Sequence, residues 1–519
     1  MTNYFFKLFT LLFLTSSAQQ VLVVDKLSKD PIPGTAAFNY IKTKSSISDF
    51  DGYIDIKKFT DFEKIYFVHS SYNKISIRKS LVKDTVFLSP KSTSLNEVII
   101  SASKFAQTKK EVPHSVISIN SNEIQLSNPQ TSADLLLNSG SVFVQKSQLG
   151  GGSPMIRGFS TNRLLITIDG VRLNNAIFRG GNVQNIISID PFNIEKTEVI
   201  LGSGSVIYGS DAIGGVMNFY STTPRLSQSL SPNLTSRSII RYSSANNEKT
   251  AHLDFNLGFQ KWGFHSSISV SDFGDLQMGK YGPEDYLSSY YSESLNGQDV
   301  MTPNTTPRIQ KFTNFNQMHL AQKVIYKLSD GIQFDFGLHY STTSDYPRYD
   351  RLSTFDNDGI LKYAEWSYGP QDWLLANILI TKFSKSSRWY DKLKISSAYQ
   401  NFKESRINRK FNSDNRKINT ENVDALSFNI DFSKRITDKS NFSYGAEYIH
   451  NKVRSKARSQ SVASNALGII ASRFPDQSKW ETMAVYLSHK YKPNTSLTVQ
   501  SGIRYNYVII DADLTANNS

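Results

Sequence analysis

Apolar and polar residues alternate strictly in several segments of the second half of the chain. Every second residue is apolar in 252–261, in 332–341 and in 426–433. A period of two places each apolar set on one face of an extended strand and each polar set on the other. By this criterion about eleven strands lie between 237 and 508. The pattern predicts a mostly β protein in which each strand has one apolar and one wet face.

The connections between these predicted strands alternate in length. Short connections are predicted at 262–263, 329–331, 385–390, 435–440 and 492–495, and long ones at 272–315, 342–372, 403–421 and 453–478. The connection at 245–250 is short where a long one is expected. Transmembrane β-barrels sort their loops in this way, with tight turns at one end and long loops at the other. We therefore predict an antiparallel transmembrane β-barrel in 225–519.

The first part of the chain predicts three other segments. Residues 1–18 combine Lys7, a short apolar run and small residues, which is typical of a secretory signal peptide. Residues 19–90 carry short β-rich runs at 21–24, 35–40, 65–69, 75–77 and 85–88, broken by turns such as Asp51-Gly52, and this spacing predicts a small β-sandwich. Residues 91–103 form a linker followed by an extended β-branched segment.

Residues 104–224 are dense in glycine and predict a compact α+β domain. A short helix is predicted at 132–138, capped by Ser132 or Thr131, and strands are predicted at 164–168 and 197–201. The glycines at 202, 204, 209, 214 and 215 permit close approach of the backbone. Nucleotide binding is disfavoured, because Gly202-x-Gly204 lacks the third glycine of a dinucleotide fingerprint and no Gly-Lys-Ser/Thr follows.

Composition narrows the class of protein further. The 26 tyrosines and 32 phenylalanines suit the aromatic girdles of a membrane barrel, although an aromatic-rich soluble β protein remains an alternative. The net charge of +13 is scattered, which disfavours nucleic acid and suits contact with anionic lipid headgroups. The chain has no cysteine, and we find no catalytic motif. We therefore predict no enzyme activity, no metal site and no cofactor.

Three motifs carry a resemblance to a known family. They are Ile156–Phe159, Ile168–Leu173 and Leu201–Phe219, followed by the alternating strands. In this order they resemble the plug and barrel of TonB-dependent outer-membrane receptors, from about Leu95 to the end of the chain. Residues 19–90 resemble the carboxypeptidase-regulatory-like domain that precedes many such plugs. Because the family's barrel has about twice as many strands, the sequence looks truncated, with only the N-terminal part of the barrel in 225–519.

The resemblance implies import of a scarce nutrient across the outer membrane of a Gram-negative bacterium. The implied partners are TonB of the TonB–ExbB–ExbD complex, outer-membrane lipid and a small iron-containing or similar ligand. The segment from Leu95 to Ala102 looks like the TonB box, because an unpaired strand can add to the sheet of another protein. We assign TonB contact to Glu97, Val98, Ile99 and Ile100. The alternative is an ordinary strand of the preceding sandwich.

Candidate ligand contacts follow from the same resemblance. The segments 345–352 and 364–371 resemble loops of the haem and haemoglobin receptor branch, whose further signature motifs lie later in the barrel. His319 has lumenal parity and offers an imidazole for haem iron, although a lumenal polar residue bonded to its neighbours is the simpler interpretation. The predicted contacts in the plug apex and the loops are Arg157, Phe159, Asn174, Asn175, Arg179, His319, Arg348, Tyr349 and Arg351.

Four functions remain open at this stage. Import of haem or an iron chelate is favoured. Import of cobalamin or an oligosaccharide is the second hypothesis. A surface ligand-binding protein without transport is the third, and a soluble β enzyme is the fourth.

Overall fold

The computed structural model describes residues 20–26, 28–89, 98–146, 148–178, 186–494 and 496–515. The predicted signal peptide, Glu97 and Arg179 lie outside the described residues. The chain divides into two compact units, and the second begins at Val98. No helix in the described part of the chain is long and apolar enough to cross a lipid bilayer.

The first unit consists of seven short strands in two sheets. The strands are β1 (Gln20–Asp25), β2 (Ala36–Phe38), β3 (Ser45–Ile47), β4 (Tyr53–Asp55), β5 (Lys64–His69), β6 (Tyr72–Arg78) and β7 (Thr85–Leu88). One sheet has the order β4-β1-β7 and the other the order β3-β2-β5-β6. Their apolar faces share a core that includes Val23, Ile56, Ile65 and Phe67. The five predicted runs are confirmed as strands β1, β2, β5, β6 and β7, whereas β3 and β4 were not predicted.

The second unit begins with a mixed α/β domain, which we call the plug. Its elements are β8 (Val98–Ile99), β9 (Gln107–Thr108), β10 (Val116–Asn120), α1 (Ser121–Ser127), α2 (Ser132–Leu137), β11 (Phe143–Gln145), β12 (Ser153–Ile156), β13 (Phe159–Ser160), β14 (Leu164–Ile168), β15 (Val171–Arg172), β16 (Ile194–Ile200), α3 (Ser205–Tyr208) and β17 (Gly215–Ser221). The central sheet has the order β10-β16-β17-β14-β15. The predicted helix is confirmed as α2, and its cap is Thr131, whose side chain accepts from the amide of Asp134.

A large antiparallel sheet follows the plug. The elements from there to the end are β18 (Asn233–Ser243), β19 (Glu248–Gly258), β20 (Trp262–Phe273), β21 (Tyr290–Leu295), β22 (Gln298–Pro303), β23 (Phe315–Ser329), β24 (Ile332–Thr343), β25 (Tyr346–Pro347), α4 (Tyr349–Leu352), β26 (Tyr363–Tyr368), β27 (Asp372–Phe383), β28 (Lys392–Lys410), β29 (Asn415–Thr437), β30 (Ser440–Ser461), β31 (Leu467–Ile470), β32 (Ser478–Tyr491) and β33 (Val499–Asp511). Eleven of these strands form the continuous path β18-β19-β20-β23-β24-β27-β28-β29-β30-β32-β33. The mostly β fold and the count of about eleven strands are confirmed.

The two faces of this sheet have opposite polarity. On β19 the side chains of His252, Asp254 and Asn256 are buried, whereas Leu253 and Phe255 are exposed. The polar face is buried because the plug lies against it, and the apolar face is open. A soluble sheet has the reverse arrangement, so this polarity suits strands that meet lipid on the outside.

The two ends of the sheet differ in their connections. At one end, which we call the short-turn end, the connections are 259–261, 330–331, 384–391, 438–439 and 492–498. At the other, the long-loop end, they are 244–247, 274–314, 344–371, 411–414 and 462–477. The predicted long loop at 403–421 is wrong, because β28 and β29 stay paired as far as Asn408 and Lys417. Charged and polar residues dominate this stretch, so the hydrophobic pattern did not reveal the strand.

Polar bonds tie the plug to strands across the width of the sheet. Side chains on β18, β23, β28 and β33 donate to plug carbonyl groups. The bonds are Arg241 Nη1 to Pro129 O at 2.8 Å, Gln317 Nε2 to Ile187 O at 2.7 Å, Gln400 Nε2 to Arg172 O at 2.8 Å and Arg504 Nη1 to Ile207 O at 3.0 Å. The plug is therefore held in part by hydrogen bonds to its backbone.

Apolar contact between plug and sheet is prominent toward the long-loop end. There Leu149 and Ile187 of the plug pack with Phe273, Phe315 and Tyr346. A second apolar cluster joins Ile177 to Val423 and Val453. These clusters anchor the tip of the plug among the loop-side ends of the strands.

Candidate functional site

The extended segment at the start of the plug is docked at the short-turn end of the sheet. Val98 and Ile99 form β8, which pairs with Thr108 and Gln107 of β9. The chain then reaches Lys104, whose Nζ lies 3.0 Å from Asp431 Oδ1, near the short-turn end of β29. Because β8 pairs within the plug, the alternative that this segment is a strand of the N-terminal sandwich is wrong.

A buried carboxylate on β16 holds the backbone of this segment. Glu198 is completely buried, and its Oε2 accepts hydrogen bonds from the amides of Ile100 at 3.0 Å and Ser101 at 2.8 Å. Its Oε1 lies 2.7 Å from Nζ of Lys196, which also donates to the carbonyl of Val98 at 2.6 Å. These bonds involve only backbone groups of the segment, so they do not depend on the identity of its side chains.

Two tyrosines complete the polar environment of the segment. Tyr208 Oη donates to the carbonyl of Ser101 at 2.8 Å, and Tyr220 Oη lies 3.4 Å from Oε2 of Glu198. Burial, reinforced by the charge of Glu198, raises the pKa of Tyr220 well above its usual value. The hydroxyl therefore stays protonated and remains a donor to the carboxylate.

The two β8 side chains have opposite environments. Ile99 is fully buried in an apolar cluster with Val116, Ile200 and Tyr486, whereas Val98 is 53% exposed. A partner can reach Val98 in this state. It cannot contact Ile99 until the segment leaves its pocket.

The predicted plug-apex residues divide into structural and accessible ones. Asn174 is buried, accepts from the amide of Ile166 at 3.0 Å and donates to the carbonyl of Leu164 at 2.9 Å, which fixes the turn after β15. Asn175 lines a cavity of about 160 Å³ beside β30 and β33. Asn174 lines the same cavity, but its side chain is engaged by the backbone of its own hairpin, and Asn175 is the less buried of the two.

Arg157 and Phe159 lie on the β12–β13 hairpin of the plug. Arg157 is exposed in a turn, with a φ of 49°. Phe159 is 37% exposed and packs over Gly214, where an added Cβ would lie 2.3 Å from the Cβ of Phe159. The glycine is required for this close approach, because any side chain would displace the ring.

The predicted loop residues form an aromatic and cationic cluster at the long-loop end. The guanidinium carbon of Arg348 lies 4.9 Å from the ring centre of Trp366, and Nη1 of Arg348 donates to Tyr368 Oη at 3.2 Å. Asp350 accepts from Nε of Arg348 at 2.9 Å. The side chain of Arg351 is 49% exposed. Arg348 is therefore committed to its own loop, and Arg351 is more open to a ligand.

Tyr349 and His319 are less open. The side chain of Tyr349 is partly buried and lies beside Ser288. His319 is 8% exposed on the inner face of β23, with the backbone of Ser188 and the side chain of Asp190 as polar neighbours. The plug covers this imidazole, as in the simpler interpretation of a lumenal polar residue.

Sequence reasoning missed Glu198 and Lys104. Glu198 had one available signal, since it is a carboxylate within the otherwise apolar end of a predicted strand, and a buried charge needs partners. For Lys104 the sequence contains no comparable signal, because its partner Asp431 is 327 residues away. Among the described residues, no group of three or more histidine, aspartate or glutamate side chains is placed to hold a metal ion.

Comparisons with known proteins support the resemblance. Residues 108–216 match the family described as "TonB-dependent Receptor Plug Domain", and residues 386–519 match the "Outer membrane protein beta-barrel family". The chain is 36% identical over 154 residues to "Vitamin B12 transporter BtuB" of Vibrio vulnificus (strain CMCP6), which covers 29% of this chain and 24% of that relative. The chain thus spans about a quarter of the length of this relative.

Solved structures share the fold at low sequence identity. The "Copper transporter OprC" superposes with a TM-score of 0.58 at 14% identity, over 78% of this chain and 58% of that chain. The ferric citrate transporter FecA in its unliganded form gives a TM-score of 0.55 at 15% identity, over 77% of this chain and 56% of that chain. Plug and sheet are therefore arranged as in outer-membrane transporters.

Proposed function

The chain belongs to the TonB-dependent receptors of the Gram-negative outer membrane, and from this premise we propose that it imports a scarce nutrient with energy delivered by TonB. The observation that carries the proposal is the docked segment Val98–Ser101 at the short-turn end of the sheet. Because TonB binds from the periplasm, the short-turn end, where the segment is docked, faces the periplasm. The long-loop end then faces the external medium. We assign the protein no catalytic reaction, and the relatives reported above are transporters by name.

The geometry of the segment suits strand addition to TonB. Its backbone is extended, and the groups by which it is held are its own backbone amides and a backbone carbonyl, which bond to the side chains of Glu198 and Lys196. A partner strand bonds to the same backbone amides and carbonyls, so release from Glu198 and Lys196 frees the groups that TonB would bind.

We propose an iron chelate as the first candidate ligand. Arg351 and the cluster around Trp366 offer cationic and aromatic contacts at the long-loop end. A chelate needs no axial donor from the protein, which agrees with the covered position of His319. This arrangement favours a chelate whose own donors saturate the metal over haem ligated by His319.

Cobalamin is the second candidate. It rests on the 36% identity to a protein named as a vitamin B12 transporter. The names of the three relatives give different cargoes, namely vitamin B12, copper and ferric citrate. The shared fold therefore supports import in general and leaves the ligand to experiment.

The test compares two substitutions at the exposed residue of β8. Val98→Pro removes a backbone donor and fixes φ, so we expect loss of binding to the purified periplasmic domain of TonB. Val98→Thr keeps the donor and serves as the matched control, which should bind as the parent does. Because Val98 is 53% exposed, neither change removes core packing.

Uptake is measured in the same variants with radiolabelled ferric chelates, haemin and cyanocobalamin in parallel. The parent and Val98→Thr should accumulate a ferric chelate, and Val98→Pro should not. Accumulation of cyanocobalamin alone would transfer the assignment to the second candidate. Normal TonB binding and uptake by Val98→Pro would contradict the energy coupling proposed here.

A further inference from the structure

Three turns of the N-terminal unit meet at one end of the sheet β3-β2-β5-β6. The side chain of Asn39 donates from Nδ2 to Oε1 of Glu63 at 3.2 Å, and Nζ of Lys44 lies 3.0 Å from Oε2 of the same carboxylate. The amide of Lys79 donates to the carbonyl of Glu63 at 2.9 Å. Glu63 therefore joins the three turns into one surface, which we call the tip. The turns of the tip are 39–44, 60–63 and 79–81.

The tip exposes large apolar side chains from all three turns. A single exposed apolar side chain is ordinary on a protein surface, but several at one end of a small unit form a patch, which indicates a binding surface. The rings of Tyr40 and Tyr66 lie 6.4 Å apart, so the patch continues onto the outer face of β5. The apolar side chains of the tip and their exposed fractions are Tyr40 81%, Ile41 70%, Phe62 89% and Leu81 70%.

Cations without a carboxylate partner adjoin this patch. Lys42, Lys64 and Arg78 are exposed and make no ion pair with a carboxylate among the described residues. Lys64 and Arg78 are cross-strand partners at the end of β5 and β6 that adjoins the tip, and like charges in this position repel each other. An anionic surface beside them would remove this repulsion. The two carboxylates within the three turns are already paired, Asp61 with Lys79 and Glu63 with Lys44.

Aromatic and aliphatic side chains beside unpaired cations fit the headgroup region of an anionic lipid leaflet. Residues 90–97 separate the unit from Val98, and a chain of this length reaches about 30 Å at most. In the orientation given above, the leaflet within this reach is the periplasmic leaflet of the outer membrane. We propose that the tip binds the anionic phospholipids of this leaflet, with its apolar side chains below the phosphates and its unpaired cations beside them. The proposal uses that orientation and goes beyond import.

The test places a fluorophore on the tip of the full chain, which has no cysteine of its own. Ile41→Cys carries an environment-sensitive dye. Ser71→Cys is the matched control, because Ser71 is exposed in the turn between β5 and β6, at the end of these strands opposite the tip. Both receptors are inserted into nanodiscs of phosphatidylcholine with or without phosphatidylglycerol. Quenching by a nitroxide on the lipid acyl chain reports contact with the membrane, and quenching by acrylamide reports exposure to water.

We expect the lipid nitroxide to quench the dye at Ile41→Cys several-fold more strongly than the dye at Ser71→Cys. The difference should be largest in discs that contain phosphatidylglycerol. High salt should reduce it, because the attraction between exposed cations and phosphates is screened. Lys42→Gln combined with Lys64→Gln should reduce it in the same way, because the cations themselves are lost.

The apolar part of the tip is tested by a second pair of variants. Phe62→Ser should weaken the lipid quenching at Ile41→Cys. Phe50→Ser is its matched control, because Phe50 is 94% exposed in the turn that follows β3, whereas the tip turn 39–44 precedes β3. Phe50→Ser should leave the quenching unchanged. Equal loss of quenching in both variants would overturn the assignment of the contact to the tip.

Three further outcomes would overturn the proposal. Equal quenching by acrylamide at Ile41→Cys and Ser71→Cys in every disc would show that the tip stays in water. Protection of Ile41→Cys from acrylamide without quenching by the lipid nitroxide would assign the tip to a protein partner. Lipid quenching that does not depend on phosphatidylglycerol would exclude the anionic headgroup. The test of import at Val98→Pro uses another segment and another readout, so either proposal can fail while the other stands.

Discussion

Glu63 in the N-terminal unit shows how one carboxylate can organise a turn. It accepts from the amide of Thr60 at 2.6 Å and from Nζ of Lys44 at 3.0 Å. The amide bond, followed by the Lys44 interaction, lowers the pKa of Glu63 to about 2. Because the pKa of this carboxyl is lower in the folded than in the unfolded state, its charge stabilises the fold at pH values above the unfolded-state pKa. This stabilisation is lost as the pH falls through the folded-state pKa.

We therefore predict a pH-dependent effect of Glu63→Gln. At neutral pH the variant should show faster hydrogen exchange at residues 60–64 of the intact protein than the parent. The difference should shrink as the pH falls from about 4 toward 2, where the parent also loses the charge. Asp61→Asn is the control, because the Asp61 side chain is 72% exposed and should contribute little. A difference that persists undiminished at pH 2 would show that the charge of Glu63 is not the cause.

Single residues also set the limit of what the sequence predicts. The positions of Asn174 and Arg348 in the plug and loop followed from the motifs, but their partners did not. Asn174 bonds the backbone of its own hairpin, and Arg348 stacks on Trp366. Such partners depend on side-chain geometry across separate segments, which a hydrophobic pattern does not contain.

At the scale of elements, the docked segment depends on Glu198. Glutamine at this position would keep one acceptor but lose the charge that pairs with Lys196 and would introduce a donor facing two amide donors. Buried charge-assisted bonds contribute about 1.5–3 kcal/mol each, so we predict that Glu198→Gln weakens docking by about 3 kcal/mol. Faster reaction of Ser101→Cys with a maleimide is the measurement, because Ser101 is fully buried while the segment is docked.

The control for this prediction is Glu195→Gln on the same strand. Glu195 is exposed and accepts from the amide of Thr223 at 3.0 Å, outside the docked segment. Glu195→Gln should leave the labelling of Ser101→Cys unchanged. Equal labelling of parent and Glu198→Gln would assign the docking to the pocket of Ile99 instead.

Elements with a clear hydrophobic period were predictable, and polar ones were not. β19 and β24 alternate apolar and polar residues, so their existence and their faces followed from the sequence. The outer parts of β28 and β29 are polar or charged on both faces, and their pairing is supported by backbone bonds and by polar contacts such as the bridge of Glu365 to Arg409 and Arg416. The alternation of apolar and polar residues requires one apolar face. It is therefore lost in the parts of the strands that extend beyond the lipid.

At the scale of the whole molecule, the orientation of the sheet makes a direct prediction. Asn357 and Ser464 are exposed at the long-loop end, and the side chain of Asp330 is fully exposed at the short-turn end. Single cysteines at Asn357 and Ser464 should react on intact cells with a membrane-impermeant maleimide, and one at Asp330 should react only after lysis. Because the chain has no other cysteine, the background is low. Labelling of all three on intact cells would contradict this orientation.

The order of the plug's attachments along its length has a mechanical consequence. Toward the short-turn end, bonds such as Lys323 Nζ to Ser221 Oγ at 2.9 Å can be exchanged one at a time for bonds to water. Toward the long-loop end, Leu149 and Ile187 sit in an aromatic cluster, and water does not replace such contacts. A pull from the periplasm thus acts first on the bonds to Glu198 and the packing of Ile99, and reaches the aromatic cluster last. Contacts between plug and sheet would therefore break in a series of small steps. The tip of the plug would keep its contacts with the loop-side ends of the strands while the base loses its own.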